Sequence, residues 1–506
     1  MTTRPAFPTR TMLTAGVVMG LAGDQLLRVP DGPGLNFFLL LAGLALSVWA
    51  VARSTGRQLS RESSLWLGLG VVCGAALLWR GSGMIRFWTF VAACGAFALP
   101  TLHAGRAWVT RAGVLDVAAA AVGTCLHTAF GAVRLIIGLR SEEREATDSR
   151  GPARSAFRTA VVGTLLAAVP LFVFGALFVS ADAVFARILG DLVRFDLETV
   201  ASHLFAVAAL GWLTCGYLTG MVVGTDLRGD RDFRGALPRL GTAEVATAMG
   251  LVDLLFLAFV AVQLRYLFGG ASLVQVTPDL TYAEYAREGF FQLVAAVALA
   301  IPWMLGTHAL LEDRGLKARS WFAGLAGTQL ALLLVVVASA VQRMLAYQGA
   351  YGLTELRVVA TTGLVALTAL LLWFGATVLS GRAHRFSFGV LVTGYLLVAA
   401  LQIMNPAGLV VRHNLDRSVA LGGVDVEYLA SLGSDATPGL VARIAELDGD
   451  EQCLVAERLL RSWGPDRPGD WRSFNLSESR ARSAVRAEES RLRSLVATGL
   501  CEAARP

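Results

Sequence analysis

The stretch "TYAEYAREGFFQLVAAVALAIPWML", residues 281–305, sets Tyr282, Glu284, Tyr285, Arg287 and Glu288 within a few positions and then runs without a charge to Leu305. A helix that crosses a bilayer needs about 20 mostly apolar residues. The run that begins near Tyr285 stays mainly apolar to residue 309. Tyr and Arg gather where such helices leave the hydrocarbon. The stretch therefore predicts a membrane helix over 285–309 whose charged first turns stand at the water boundary.

The rest of the chain repeats the pattern. Of 506 residues, 55% are hydrophobic and 16% charged, with a mean hydropathy of +0.59. Soluble domains carry about a quarter charged residues. Ten further segments have the length and apolarity of a span: 11–28, 34–53, 64–80, 84–103, 157–179, 201–224, 243–267, 318–343, 356–380 and 385–403. Arginine crowds into alternate connections, among them Arg53, Arg57 and Arg61, the 104–158 and 225–242 segments, and Arg382 with Arg385. Cytoplasmic loops carry that excess, so the N-terminus is expected in the cytoplasm and the tail from 404 outside it. The net charge of +6 belongs to these loops, and no nucleic-acid partner is implied.

The predicted fold is all-α, a polytopic bundle of about eleven transmembrane helices with a small C-terminal extracytoplasmic helical domain. Residues 1–103 hold four spans, 104–156 a cytoplasmic amphipathic helix and charged linker, 157–403 seven spans, and 404–506 the outer domain. The amphipathic element is 112–139, where Leu115, Ala119, Val122, Leu126, Val133 and Ile137 form a stripe at helical spacing. As a twelfth span it would turn the arginine-rich 225–242 loop outward, so it is placed on the inner surface. No cleaved signal is expected, because the first apolar segment lacks a small-residue cleavage site and leads into another span.

Cys73, Cys94, Cys125 and Cys215 lie in apolar segments and read as small buried hydrophobes. Cys453 and Cys501 stand in the polar tail, where an oxidising compartment would allow a disulfide between helices. Gly16/Gly20, Gly70/Gly74 and Gly216/Gly220/Gly224 are pairs of small residues that predict close helix packing. "NLS" at 475–477 matches a glycosylation acceptor, a pattern too short to weigh much.

Catalytic signatures are lacking: the six histidines show no HExxH spacing, and there is no CxxC, Walker A loop or GxSxG elbow. No metal or cofactor is predicted. Polar residues within spans say more, since hydrocarbon tolerates them only paired or wet. Asp253, in "GLVDLLFLAFVAVQLRYLFGG" (250–270), is the clearest intramembrane charge. It reads as an ion or proton site, or as a neutral or hydrogen-bonded buried carboxyl. Asp24 and Asp182 sit at span ends as caps or interfacial groups.

The topology brings four polar stretches to the outer level. They contribute Gln263, Arg265 and Tyr266, then Tyr282 to Glu288. "YGLTELR" (351–357) adds Tyr351, Glu355 and Arg357, and "NPAGLVVRHNLDR" (405–417) adds Asn405, Arg412, Asn414, Asp416 and Arg417. Two readings stand. In one, these residues anchor helix ends and brace the outer domain. In the other they line a cavity where Arg265, Arg287 and Arg357 hold an anionic headgroup or phosphate and Glu288 or Glu355 acts as base.

These stretches, "FLAFVAVQLRYLFGG", "TYAEYAREGFFQLV", "YGLTELR" and "NPAGLVVRHNLDR" followed by "VDVEYLASLGSDATPGLV", also carry a resemblance. With "GLAGDQLLRVPDGPGLNFFLL" near the start and "DWRSFNLSESRA" at 470–481, the chain resembles the bacterial polytopic membrane family of unknown function numbered 4173, with its relative numbered 4153. The resemblance implies a multi-span bacterial inner-membrane protein. It supplies no activity and no catalytic residues.

The first functional expectation is a non-enzymatic envelope accessory, sensing or scaffold protein. Its partners are the bilayer, an anionic lipid headgroup or lipid-phosphate, and an unidentified membrane protein. A solute or ion transporter using Asp253 is the second. The third is a transferase acting on a lipid-phosphate-linked donor, with Asp24 or Asp31 as catalytic acid, by analogy of architecture alone.

Overall fold

In a computed structural model of the chain, the described residues are 8–29, 32–56, 58–104, 109–146, 174, 178, 182, 197–223, 239–274, 290–311, 315–421, 423–465 and 469–497. In chain order they form α1 (Thr9–Leu27), α2 (Leu35–Ser54), α3 (Arg61–Ala76), α4 (Gly83–Ala98), α5 (Pro100–Ala104), α6 (Val114–Ala146), α7 (Leu197–Val223), α8 (Thr242–Val274), α9 (Phe290–Leu310), α10 (Leu316–Tyr351), α11 (Glu355–Phe374) and α12 (Phe386–Met404). The C-terminal region continues with α13 (Pro406–Leu421), α14 (Val426–Ser431), α15 (Thr437–Arg443), α16 (Gly449–Trp463), α17 (Leu476–Ala487) and α18 (Glu489–Ala497). No strand occurs among the described residues beyond an isolated bridge between Leu240 and Leu311.

Local chemistry sets the helix ends. The Ser60 hydroxyl accepts from Ser63 N at 3.0 Å and starts α3; Thr354 does the same for Arg357 N and starts α11. Gly352, at φ 72, closes α10 in a conformation that would strain any side chain.

Nine helices among the described residues are long and apolar enough to cross a membrane: α2, α4 carried through Leu102, α6 to α10, α11 carried through Leu379, and α12. The all-α polytopic bundle read from the sequence is the fold. α1 and α3 coincide with the expected spans 11–28 and 64–80 but fall short of the others. α1 carries Arg10 and Asp24, and α3 is 16 residues long with Arg61 and Glu62 in its first turn. Both still pack within the bundle, and Gly16 and Gly20 of α1 let its backbone close on Gly211 and Val207 of α7. The expected span 157–179 lies almost wholly outside the described residues.

The stretch 112–139, placed on the inner surface from its sequence, is the body of α6. Its residues 114–136 have the length and apolarity of a span. Gly216 of α7 presses on the backbone carbonyls of His127 and Thr128, and Trp212 donates to Ala129 O at 2.7 Å. Leu115, Val122, Leu126 and Val133, the apolar stripe, are exposed on the protein surface. Packing on α7 therefore uses the small residues, and the apolar stripe stays on the protein surface.

One face of the bundle gathers the ends of α1, α3, α10 and α12 and the starts of α2, α4 and α11. The C-terminal helices sit against it through backbone bonds, Leu35 N to Phe474 O at 3.1 Å and Leu476 N to Leu78 O at 2.7 Å. Their own core includes Val410, Leu440, Val455, Leu459 and Val485, and it continues into Val358 of α11. A separate core joins α8, α9, α10 and α11 around Met304, Leu333, Val336 and Phe374.

Candidate functional site

The α3–α4 turn, Leu77 to Ser82, is the point where bundle and C-terminal domain grip each other. Arg80 is 8% exposed. Its Nε donates to Gln402 O at 2.6 Å and its Nη2 to Ile403 O at 3.4 Å, so it caps the carbonyl end of α12, where the helix dipole favours a cation. The guanidinium stacks on Trp79 at 4.9 Å. Burial lowers its pKa from the ordinary arginine value; Asp435 works against that shift and nearby Arg480 adds to it.

The domain answers with carboxylate and amide. Asp435 Oδ2 accepts from Gly81 N at 2.7 Å and Ser82 N at 2.8 Å, while Oδ1 accepts from Ser477 Oγ at 2.7 Å and lies 3.8 Å from Arg80 Nη1. Asn475 Nδ2 donates to Leu77 O at 2.9 Å and Arg80 O at 3.0 Å, and its Oδ1 caps α17 by accepting from Ser477 N. Arg86 pairs with Glu478 at 2.7 Å, and Arg472 donates to Gln25 O at 2.6 Å at the end of α1.

The α10–α11 turn is held the same way from α13 and α14. Asn414 bonds both the N–H and the carbonyl of Leu353, at 2.8 and 2.9 Å. Arg417 donates to Ala350 O at 2.6 Å, and the Tyr428 hydroxyl accepts from Glu355 N at 2.9 Å. The Glu355 carboxyl faces Ser82 and Asp435. Its Oε1 and the Ser82 hydroxyl are buried without a hydrogen bond to a described residue.

Beside the first grip, among α13, α15 and α17, opens a cleft of about 280 Å³. Arg80, Arg412 and Arg480 line it with Asn405, Asp435 and Ser477. Three guanidinium groups thus meet one carboxylate, and that carboxylate already accepts three hydrogen bonds. Arg412 and Arg480 are exposed to it. Their fork geometry matches a phosphate or carboxylate.

The residues predicted from sequence divide accordingly. Asn405 and Arg412 line the cleft. Tyr351, Glu355, Arg357, Asn414 and Arg417 belong to the α10–α11 brace; Arg357 donates to Gly352 O at 2.7 Å and lies over the Tyr347 ring at 4.1 Å. Tyr282, Tyr285, Arg287 and Glu288 lie outside the described residues, as does the side chain of Arg265, so the structure leaves the cavity expected around them untested. Asp24 is buried against Arg28 at 2.6 Å and His203 at 2.5 Å, and Asp31 lies outside the described residues. Asp253 is buried on α8. Cys453 is disulfide-bonded, the other four described cysteines are free, and Cys501 lies outside the described residues.

Sequence reading passed over Arg80, Asp435, Ser477 and Arg480. The signal for Arg80 is a lone arginine in a turn between two apolar spans. Asp435 and Ser477 lay within the quoted stretches "SLGSDATPG" and "FNLSESRA", without a pattern of their own. Asn475 stands in the short "NLS" pattern given little weight above; it is 2% exposed and both ends of its amide are bonded, so it serves as a cap.

A helix bundle with nine membrane-length helices among the described residues, and a polar junction with a helical C-terminal domain, define a multi-pass integral membrane protein. A family model described as "Domain of unknown function (DUF4153)" matches residues 66–442. The chain belongs to this family, the relative of 4173 in the resemblance drawn above. The match runs from α3 into α15 and so contains Arg80, Asn405, Arg412 and Asp435 but not Asn475 or Arg480. No curated protein and no solved structure matches the chain.

Proposed function

We propose that this protein is a non-enzymatic scaffold or sensor of the bacterial inner membrane. Its C-terminal domain lies outside the cytoplasm, and its cleft takes the phosphate of an anionic lipid headgroup. The observation that carries this reading is the cleft itself, with Arg80, Arg412 and Arg480 around a single, already bonded carboxylate. It opens beside the last residues of α12 and the first of α4, the level at which headgroups meet helix ends. Apart from the Arg86–Glu478 pair, the other bonded polar groups named at the junction bind main-chain atoms and hold two domains in one arrangement, which is what a scaffold requires. Arginine crowding in the connections of the opposite face favours a cytoplasmic placement for them.

The test is thermal unfolding in nanodiscs of phosphatidylglycerol and of phosphatidylcholine. The reading expects a higher midpoint in the anionic lipid and a smaller difference in the R412Q/R480Q double variant. Equal midpoints for the natural protein in the two lipids would refute it.

A further inference from the structure

Helix α8 buries Val245, Met249, Asp253, Val260 and Gln263 and half-buries Phe256, a seam with the three- and four-residue steps of a heptad. Among the described elements α8 packs on α10. At the same three- and four-residue steps, α10 buries Gln329, Leu332, Val336 and Ser339 and carries Arg343. Their register is fixed at one end, where Gln263 Oε1 accepts from Ser339 Oγ at 3.2 Å and Arg343 Nη2 at 2.9 Å. It is fixed at the other by the bond from Leu240 N to Leu310 O at 2.9 Å, just before the two helices begin. The helices run parallel. Asp253 lies as far before Gln263 as Gln329 lies before Ser339, so the two side chains share a level in the seam.

Asp253 is 7% exposed and Gln329 0%. Neither carboxylate oxygen of Asp253 nor either amide atom of Gln329 has a hydrogen-bond partner among the described residues. On these two helices the backbone positions of Arg319, Arg343 and Arg265 are on the order of 15 Å or more along the axis from this level, at about 1.5 Å per residue. Glu244 and Lys317 stand near the helix starts, Glu355, Arg357 and Arg382 near the ends of α11 and the turn that follows it, and the His308 ring packs on Phe322 at 5.1 Å.

Two irregular backbones adjoin the same level. Pro302 interrupts α9 and has no N–H to offer the carbonyl of Ala298. With α9 antiparallel to α10 and His308 beside Phe322, Pro302 comes level with Gln329. The π-helical turn Gly375–Leu379 that ends α11 presses Gly375 on Leu330 of α10; such turns loosen the backbone ladder and recur at functional sites.

We propose that Asp253 and Gln329 bind a desolvated alkali-metal cation between α8 and α10. Both carboxylate oxygens and the amide oxygen coordinate it, and the cation neutralises a charge that the protein interior would otherwise reject. A proton on Asp253 would neutralise the charge as well and let the carboxyl and the amide hydrogen-bond to each other, so the two cases are separated by the salt: only a bound cation makes stability depend on which cation is present.

The test is thermal unfolding of the purified full-length protein in detergent, in sodium, lithium, potassium and choline chlorides at equal ionic strength and at two pH values. At least one alkali cation should raise the midpoint saturably, and more at the higher pH, where protons compete less. Asp253→Asn, which keeps the shape and removes the charge, should fold and lose the dependence; Gln329→Leu should weaken the apparent affinity about tenfold, as one lost ligand would. An unchanged midpoint across all four salts, or a cation response that survives Asp253→Asn, overturns the proposal. Neither outcome bears on the lipid cleft.

Discussion

Asp435 Oδ2 accepts a hydrogen bond from Gly81 N at 2.7 Å, joining a loop of the C-terminal domain to the turn between two membrane helices. The same carboxylate faces Arg80 at 3.8 Å. Removing it would leave two buried N–H groups and a buried guanidinium short of a partner. Asp435→Ala should cost about 3–5 kcal/mol, the range for a broken buried charge pair. Asp435→Asn should cost less, because its carbonyl oxygen still accepts. Denaturant unfolding monitored in the C-terminal domain checks both values and their order.

Asn475 closes the other side of that turn. Asn475→Ala should destabilise by about 2–3 kcal/mol, because the Leu77 and Arg80 carbonyls and the first N–H groups of α17 lose their partner together. Asn475→Asp should recover the α17 cap but not the two carbonyl contacts, and so fall between the natural protein and alanine. Expression in a host that glycosylates secreted domains should leave Asn475 unmodified, as peptide mass spectrometry would reveal.

These residues explain what the sequence did and did not disclose. Hydrocarbon imposes a length and an apolar composition on every helix that crosses it, so α2, α4 and α7 to α12 stand out within one helix of sequence. Asp253 is conspicuous for the same reason, a charge amid leucines. The grip of Asp435 on Gly81 joins residues some 350 positions apart, and nothing near either of them marks the pairing. The partner of a small-residue stripe is equally silent: Gly216 and Gly220 predict close packing, but only the fold shows that α6 receives them.

Arg472 holds the Asp470 carboxyl below the usual carboxylate range by direct hydrogen bonding. A depressed acid stabilises the fold above its unfolded pKa, about 3.9 for aspartate, and the contribution fades as pH falls through the lower folded value. The loop from Asp470 to Phe474, with its tie from Arg472 to Gln25 O, should therefore be unchanged from about pH 8 to about pH 5 and loosen only below about pH 4. Hydrogen exchange at the Ser473 and Phe474 amides, corrected for the intrinsic rate, measures this. Arg472→Gln should bring the loosening to higher pH.

Cys453 is fully buried and disulfide-bonded, unlike Cys73, Cys94, Cys125 and Cys215. If the C-terminal domain lies in an oxidising compartment, trapping thiols in intact cells before lysis should leave Cys453 and Cys501 unalkylated until reductant is added. Alkylation of both without reductant would place the domain on the reducing side.

On the proposed function, Arg412 and Arg480 hold an anionic headgroup at the junction of bundle and domain. Native mass spectrometry of the detergent-released protein, titrated with equal amounts of phosphatidylglycerol and phosphatidylcholine, addresses it directly. The natural protein should prefer phosphatidylglycerol by about tenfold or more, a difference near 1.4 kcal/mol, and the R412Q/R480Q variant should bind the two lipids alike. An equal preference in the natural protein, or a preference that persists in the variant, would contradict it.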